Sequence, residues 1–180
     1  MRKGQKYMAQ EDGRVYFYFE KLGFPSGTFR QVLSKYVNGL LNTKGGMLVF
    51  GVEPRSRKII GCDIKTRLHE DLFRLEFDNE VRTTRPTVSP SLCRFVVTRL
   101  EDFPGLSILE IKIGAGPIGE MFMNHAEQVF VVRRRQLFGP LIPQEIKDLV
   151  IAKYREEITS TCNLLSPVPK EKESQDPQVE

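Results

Sequence analysis

The fold is decided by the stretch at residues 36–52, YVNGLLNTKGGMLVFGV, because it joins two patterns of different period. Its first half ends an amphipathic run over 28–43, in which apolar residues recur at spacings of three and four and so share one face of a helix. The two glycines at 45–46 end that helix, as a left-handed C-terminal cap requires. The unbroken apolar run at 47–52 then predicts a short strand that is buried on both faces.

Other elements follow outward from this stretch. Upstream, RVYFYF at 14–19 is aromatic and β-branched and predicts a strand, and Ser26 is a candidate N-cap for the helix after it. Downstream, the sequence predicts strands at 58–62, 91–100, 106–113, 120–124 and 128–133, and helices at 65–81 and 144–158. The order β-α-β-β-α-β-β-β-β-α predicts a single α+β domain, built on a mixed β-sheet with about three helices.

Composition bounds the domain and its class. We expect a domain over 14–162, preceded by a flexible N-terminus at 1–13 and followed by a disordered tail at 163–180, where Pro, Lys, Glu, Ser and Gln leave almost nothing to bury. No run of about 18 apolar residues exists, which excludes a membrane-spanning helix, and the polar start does not resemble a secretory signal. The three widely spaced cysteines fit a reducing compartment, so we expect an intracellular protein, cytoplasmic or nuclear.

The charge of the chain is moderately basic. The chain has 27 Lys and Arg and 23 Asp and Glu residues. Residues 166–180 contain two of the basic and four of the acidic residues, so residues 1–165 carry a net charge of +6. Such a charge is compatible with a polyanion partner. Two clusters are candidates for contacting nucleic-acid phosphates, because guanidinium groups pair well with phosphate; the alternative is a pair of solvated turns. The clusters comprise Arg133, Arg134 and Arg135, and Arg55, Arg57 and Lys58.

Two further features carry ligating groups. Lys44-Gly45-Gly46 predicts either a backbone pocket for phosphate or nucleotide, or a helix stop and tight turn that needs no ligand. Glu11, Glu20 and Glu53 flank the first strand and the first hairpin. Converging carboxylates hold divalent ions in metal-assisted phosphodiester cleavage, whereas the alternative is ordinary solvated acids. With two histidines and no CxxC motif, the sequence predicts no structural zinc site.

The aromatic strand also has two interpretations. Tyr16, Phe17, Tyr18 and Phe19 alternate between the two faces of a strand. One face is able to stack on nucleic-acid bases. Alternating core packing is the more frequent explanation of such a pattern.

Several of these segments match the motifs of one known family. Its E-x-x-x-V-E-F-K motif aligns with Glu11, Val15 and Phe17, and its Y-V-x-A-F-x-N-[ST]-x-G-G motif aligns with residues 36–46. Further matches are VFGVE at 49–53, IGC at 60–62, QVFVVR at 128–133 and GPL at 139–141. On these motifs, the chain over roughly 11–158 resembles the Schlafen family, specifically its short Schlafen-like, AlbA-related members.

The resemblance implies a nucleic-acid-binding fold and, in the active members of the family, a metal-dependent endoribonuclease acting on structured RNA such as transfer RNA. The family site has three acids. The first falls on Glu11, the second on Tyr16 and the third on Pro54, with Glu53 just before it. Tyr and Pro supply no anionic oxygen for Mg²⁺. A four-residue slip of the alignment, which preserves the strand face, would bring Glu20 to the second position.

The leading hypothesis is an RNA-binding Schlafen-like domain with a degenerate three-carboxylate site, acting as a non-catalytic subunit or regulator. The alternative is an active endoribonuclease that uses Glu11 and Glu53, with Mg²⁺ or Mn²⁺, alone or in a composite site with a Schlafen-like partner or a second copy of the chain. A further alternative is a divergent ATP-binding or protein-interaction module. For RNA binding we expect Arg133 to contribute more than Arg135, since Arg133 aligns with the arginine that ends the closing strand of the family.

Overall fold

The computed structural model describes residues 1–9 and 13–164. Glu11 and residues 165–180, most of the predicted tail, lie outside the described residues. The strands are β1 (Val15–Phe19), β2 (Gly46–Phe50), β3 (Cys62–Asp63), β4 (Cys93–Arg99), β5 (Leu106–Ile113), β6 (Val131–Arg133) and β7 (Gln136–Phe138), and the helices are α1 (Arg30–Leu41), α2 (Arg67–Thr83) and α3 (Pro143–Leu164). The predicted α+β domain with a mixed sheet and three helices is confirmed.

Five strands form one mixed sheet with β5 at its centre. β1 pairs in parallel with β2, in a register that joins Tyr16 to Met47 and Phe19 to Phe50. β5 pairs antiparallel with β2 and β3 along one side and with β4 along the other. β6 and β7 form a separate hairpin. β1 is therefore an edge strand, which pairs with β2 alone among the described strands.

The main core lies between one face of the sheet and helices α1 and α2. Strand and helix side chains meet there at essentially zero exposure, among them Leu33, Val37, Leu48, Phe50 and Ile111. Each large apolar side chain buried in this way stabilises the fold by ~1.5–3 kcal/mol. This layer fixes β1 and β2 in place and so fixes the side chains on the other face of the sheet.

The other face of the sheet is covered only in part. A second cluster there packs Val49 and Ile108 against Tyr7, which comes from the start of the chain. Residues 1–9, predicted as part of a flexible N-terminus, run beside 57–59 through backbone hydrogen bonds of 2.8 Å, one of which joins the amide of Tyr7 to the Arg57 carbonyl. Within the described residues, no helix combines the length and apolarity needed to cross a bilayer.

Two predictions are wrong, the N-cap of the first helix and the strand at 58–62. Ser26 does not cap α1, because an irregular helical turn, Pro25–Phe29, precedes the helix and places Phe29 at the N-cap without a side-chain hydrogen bond. The strand predicted at 58–62 is reduced to the two residues of β3 and isolated bridges. Its pattern breaks at Gly61, which has a φ of +79° and bonds, with Ile60, to the Gly51 carbonyl.

The chain after β5 also differs from prediction. The strand predicted at 120–124 is a single bridge between Met123 and Arg85, and the strand predicted at 128–133 is shortened to β6. β7 was not predicted, because the turn before it is Arg134-Arg135 rather than the Asn-Gly type that usually signals a two-residue hairpin. α3 begins at Pro143 as expected and continues to Leu164, beyond the predicted end.

Candidate nucleic-acid interface

The two faces of β1 have different surroundings. Phe17 and Phe19 point towards α1, where their rings lie 4.7 and 5.4 Å from the ring of Tyr36. Tyr16 and Tyr18 lie on the opposite, partly covered face, where their rings stack with centroids 6.2 Å apart and planes 14° apart. All four rings are half-buried, Phe17 and Phe19 against the main core and Tyr16 and Tyr18 against the second cluster. Core packing therefore accounts for part of the aromatic pattern on both faces, and base stacking by the tyrosine face stays a prediction.

Basic side chains surround the two tyrosines. Lys6, Arg14, Arg57 and Arg135 line, with Tyr16 and Tyr18, a groove of 440 Å³ that we call the tyrosine groove. The Arg57 guanidinium lies over the Tyr18 ring, 5.7 Å from its centroid. Among the described residues that line the groove, none is an Asp or Glu. The groove thus combines aromatic rings with a concentration of positive charge.

Residues from four separate segments build this groove. The strand pairing between the first residues and 57–59 brings Lys6 and Arg57 together. Tyr7 fixes this segment on the sheet, because it is buried and its hydroxyl donates a hydrogen bond to the Glu110 carboxylate. Burial, reinforced by this hydrogen bond, raises the pKa of Tyr7 far above its usual value, so the phenol stays neutral and remains a donor.

Arg135 reaches the groove from the turn between β6 and β7. Both residues of this turn have positive φ, +50° for Arg134 and +63° for Arg135. Each left-handed residue other than Gly costs roughly 1–2 kcal/mol. Arg135 also lines a cavity of 700 Å³ on the other face of β1, beside Phe17 and Phe19. It therefore stands next to the open edge of this strand.

The charge of the groove acts on Tyr18. Burial raises the pKa of Tyr18 above its usual value, whereas the positive charges of Arg57 and Arg135 oppose this rise. The phenol is therefore neutral near pH 7 and adds no negative charge to the groove.

The predicted basic residues divide among different surroundings. Arg57 and Arg135 meet at the tyrosine groove, and Arg134 lies in the turn beside Arg135. Arg133 is exposed on β6, where it pairs with Gln136. Arg55 and Lys58 are exposed in and after the turn that follows β2. Lys6 and Arg14 were not predicted as site residues, and their only sequence signal was the basic character of the N-terminal residues.

Two of the three predicted carboxylates, Glu20 and Glu53, follow the ends of the parallel strands, whereas Glu11 lies outside the described residues. The Phe19 carbonyl accepts hydrogen bonds of 2.7 and 3.1 Å from the amides of Gly51 and Val52, so the C-terminal ends of strands β1 and β2 lie side by side. Glu20 follows β1 and is exposed, and Glu53 follows Val52, half-buried, where it accepts a hydrogen bond from Ser56 Oγ. Within 1–9 and 13–164, no three His, Cys, Asp or Glu side chains are grouped so as to hold a metal ion.

Tyr16 and Pro54 occupy the second and third acid positions of the resemblance. Tyr16 lines the tyrosine groove, and Pro54 is exposed in the turn that carries Arg57 back over Tyr18. At both positions the described side chain offers no carboxylate oxygen to a divalent ion.

The conspicuous N-T-K-G-G segment at 42–46 has a packing role. The Asn42 amide donates to the carbonyls of Phe122 and Phe130 at 2.9 and 3.0 Å, and its oxygen accepts from the Phe122 amide at 2.8 Å. Asn38, one helical turn earlier, bonds the same two residues. A Cβ on Gly45 would lie 2.6 Å from the Ile113 carbonyl oxygen. These residues therefore lock α1 to the sheet and to the segment before β6.

The fold defines a mixed-sheet α+β domain whose signature segment packs a helix against a parallel strand pair. The sequence profile described as Schlafen, AlbA_2 matches residues 18–137, two thirds of the chain. The chain therefore belongs to the Schlafen AlbA_2 family, and the resemblance drawn from the motifs is confirmed.

One solved structure that matches part of this chain is the crystal structure of the DIP2311 protein from Corynebacterium diphtheriae. It superposes with a TM-score of 0.48 at 15% sequence identity, over 73% of this chain and 23% of that protein. The chain thus spans less than a quarter of the length of DIP2311.

Proposed function

We propose that the chain is an RNA-binding Schlafen-like domain that acts as a non-catalytic subunit or regulator. The observation that carries this proposal is the tyrosine groove, in which four cationic side chains surround a stacked tyrosine pair. Arg and Lys pair with phosphates, and aromatic rings stack on bases whatever the sequence. Family membership supports the same partner, and structured, transfer-RNA-like RNA is the class that the resemblance implies.

Loss of the ribonuclease activity of the family is part of the same proposal. Two of the three acid positions carry Tyr16 and Pro54, and the charged residues that line the groove around Tyr16 in the described part of the chain are all cations. A divalent ion would be repelled by these cations and would lack the carboxylates that bind it. Catalysis would then need acids from a second Schlafen-like subunit, with Glu11 and Glu53 as the contribution of this chain.

The groove also changes the expected ranking of the arginines. The sequence alone favours Arg133 over Arg135, but Arg135 lines the tyrosine groove and Arg133 points from an exposed strand. We therefore expect Arg135→Ala to weaken RNA binding more than Arg133→Ala does.

The test is filter binding of a transfer-RNA-like hairpin across a salt series. Affinity should fall steeply with salt, because each phosphate contact releases roughly one counterion. The double variant Tyr16→Ala/Tyr18→Ala should lower affinity by ~1–3 kcal/mol per stacked base. Tyr154→Ala, on an exposed tyrosine of α3, is the matched control and should change nothing.

Cleavage is measured on the same hairpin with Mg²⁺ or Mn²⁺ and compared with EDTA. The proposal expects intact RNA in all three conditions. Metal-dependent cleavage that is abolished by Glu11→Gln and Glu53→Gln would establish the ribonuclease instead. If the affinity for RNA changes neither with salt nor on substitution of the two tyrosines, the RNA-binding proposal is wrong.

A further inference from the structure

A second pocket lies on the far side of the Arg134-Arg135 turn. It has a volume of 680 Å³ and is enclosed by the turn at 43–45, the loop at 115–118, the β6–β7 hairpin and α3. We call it the glycine-turn pocket. Its volume falls within the range of ~300–1,000 Å³ that is usual for small-molecule sites.

One side of this pocket is cationic. Lys44, Arg134, Arg135 and Lys153 line it, and Glu156 is the one carboxylate among the described lining residues. Glu156 and Glu120 both act on the charge of Lys153. Lys44 is exposed at the tip of the turn, so its ammonium group is available to an incoming ligand. Lys153 is half-buried and is held in position because its ammonium donates a 2.6 Å hydrogen bond to the Glu120 carbonyl. Several cations around one concave space favour a ligand that carries phosphate.

The other side of the pocket is apolar. Ile118 from the loop, Val132 from β6 and Leu149 and Ala152 from α3 form this wall. Ile118 is 39% exposed, so its side chain is accessible from solvent. An apolar wall opposite a cationic wall suits a ligand with two unlike halves.

We propose that the glycine-turn pocket binds a nucleoside phosphate. Lys44, Arg134 and Lys153 hold the phosphate, and the base lies against the wall of Ile118, Leu149 and Ala152. The ligand is either a free nucleotide or the terminal phosphorylated nucleotide of an RNA. Arg135 lines both this pocket and the tyrosine groove, so the two sites are neighbours, and the terminal-nucleotide form of the proposal has the RNA run from the groove into the pocket. Free-nucleotide binding does not depend on the proposed RNA binding, whereas the terminal-nucleotide form does.

The first experiment is calorimetric titration of the full chain with AMP, ATP, adenosine and inorganic phosphate. AMP or ATP should bind at least tenfold more tightly than adenosine or phosphate, because only the nucleotide fills both walls. Lys44→Ala should weaken nucleotide binding at least tenfold. Lys147→Ala, on an exposed lysine of α3 outside the pocket, is the matched control.

A second variant separates a shaped pocket from nonspecific attraction. Ala152→Trp fills the apolar side from the exposed surface of α3 and leaves every charge in place. Nucleotide binding should be lost in this variant, while binding of the RNA hairpin through the tyrosine groove is retained. Tyr16→Ala/Tyr18→Ala should give the opposite pattern.

The two ligand sources are distinguished with matched RNAs that carry either a 5′-phosphate or a 5′-hydroxyl. A preference for the 5′-phosphate that disappears in Ala152→Trp identifies the RNA end as the ligand. Equal binding of both RNAs, together with tight AMP or ATP binding, identifies the free nucleotide. The proposal is overturned if nucleotides bind no better than phosphate, or if Lys44→Ala and Ala152→Trp leave the affinities for nucleotide and for 5′-phosphorylated RNA unchanged.

Discussion

The N-T-K-G-G segment at 42–46 is a strong sequence motif with a packing role, whereas the tyrosine face of β1 has a weak sequence pattern and lines the candidate binding site. The first is the sharpest motif in the chain, yet its asparagine and glycines serve packing. Asn42 makes three buried hydrogen bonds to Phe122 and Phe130, and a Cβ on Gly45 would collide with the backbone at the end of β5. The second is an ordinary aromatic alternation, yet Tyr16 and Tyr18 line a cationic groove. A motif that is strict about residue type is thus as characteristic of crowded packing as of ligand binding.

The largest expected effect tests the packing role of Asn42. Asn42→Ala should lower the free energy of unfolding by ~3–4 kcal/mol, because buried groups of Phe122 and Phe130 lose their partners. Asn79→Ala removes an amide at the surface of α2 and should cost under ~1 kcal/mol. Urea unfolding followed by circular dichroism gives both values. Equal, small losses would mean that the asparagine is kept for a ligand rather than for the fold.

The next prediction compares two glycines with the same backbone conformation. Gly45 and Gly13 both have a φ of +72°, but a Cβ on Gly13 would meet nothing within 4 Å. Gly13→Ala should cost ~1 kcal/mol for the left-handed backbone alone. Gly45→Ala should cost ~1–2 kcal/mol more, because the new methyl group collides with the Ile113 carbonyl. Melting temperatures of the two variants measure the difference, and a larger loss for Gly13→Ala would contradict the packing explanation.

A third prediction sharpens the functional side of the comparison. Arg57 lies over Tyr18, and Arg55 is exposed two residues earlier in the same turn. Arg57→Ala should lower hairpin-RNA affinity by ~1–2 kcal/mol, as loss of a charge-assisted contact does. Arg55→Ala should have a smaller effect and leave the melting temperature unchanged. If both variants weaken RNA binding equally, the groove is not the binding surface and only the overall charge matters.

The smallest expected effect concerns a buried carboxylate between α1 and α2. Glu80 is 3% exposed, and its Oε1 has no hydrogen-bond partner among the described residues, while Oε2 lies 3.7 Å from His125 Nδ1. Burial raises the pKa of Glu80 above its usual range, and His125 opposes this rise. The folded state therefore prefers the protonated acid. The stability this preference contributes is present below the unfolded-state pKa and is lost as the pH rises through the folded-state pKa.

Glu80→Gln imitates the protonated acid and should raise the free energy of unfolding at pH 7 by up to ~1 kcal/mol. It should also flatten the stability profile between pH 4 and pH 7, as measured by urea unfolding at several pH values. Asp78→Asn, on an exposed residue of the same helix, is the control for removing one charge. A destabilised Glu80→Gln protein would show instead that the charged carboxylate is needed by His125.

The parts of the fold that sequence predicted are those set by local periodicity. α1, the glycine turn and β2 follow directly from spacing and from the apolar run, and β4 and β5 from alternation. The β6–β7 hairpin was not predicted, because Arg134 and Arg135 adopt a left-handed turn conformation that arginine residues do not usually indicate. Ser26 failed as a cap because the helical turn before α1 is set by packing of Phe29, which is fully buried.

The candidate site was predictable only in fragments. The sequence identified Arg57, Arg135 and the two tyrosines as separate candidates. Their proximity depends on the backbone pairing between 1–9 and 57–59 and on the position of the β6–β7 turn. Lys6, Arg14 and Lys153 carry no local pattern that distinguishes them from other surface cations. Contacts between residues far apart in the chain are fixed by the fold, so they appear only when the fold is known.

The position of Arg135 beside β1 also bears on self-association. VYFYF at Val15–Phe19 is uncharged, rich in β-forming residues and free of Pro, which is the composition that adds strands and nucleates aggregates. Among the described strands, none pairs with the outer edge of this segment, so its backbone groups are able to pair with another chain. Arg14 and Lys21 flank the segment, and Arg135 stands at its side on both faces. These three charges act as gatekeepers, because a second molecule pairing with the edge would have to bury them.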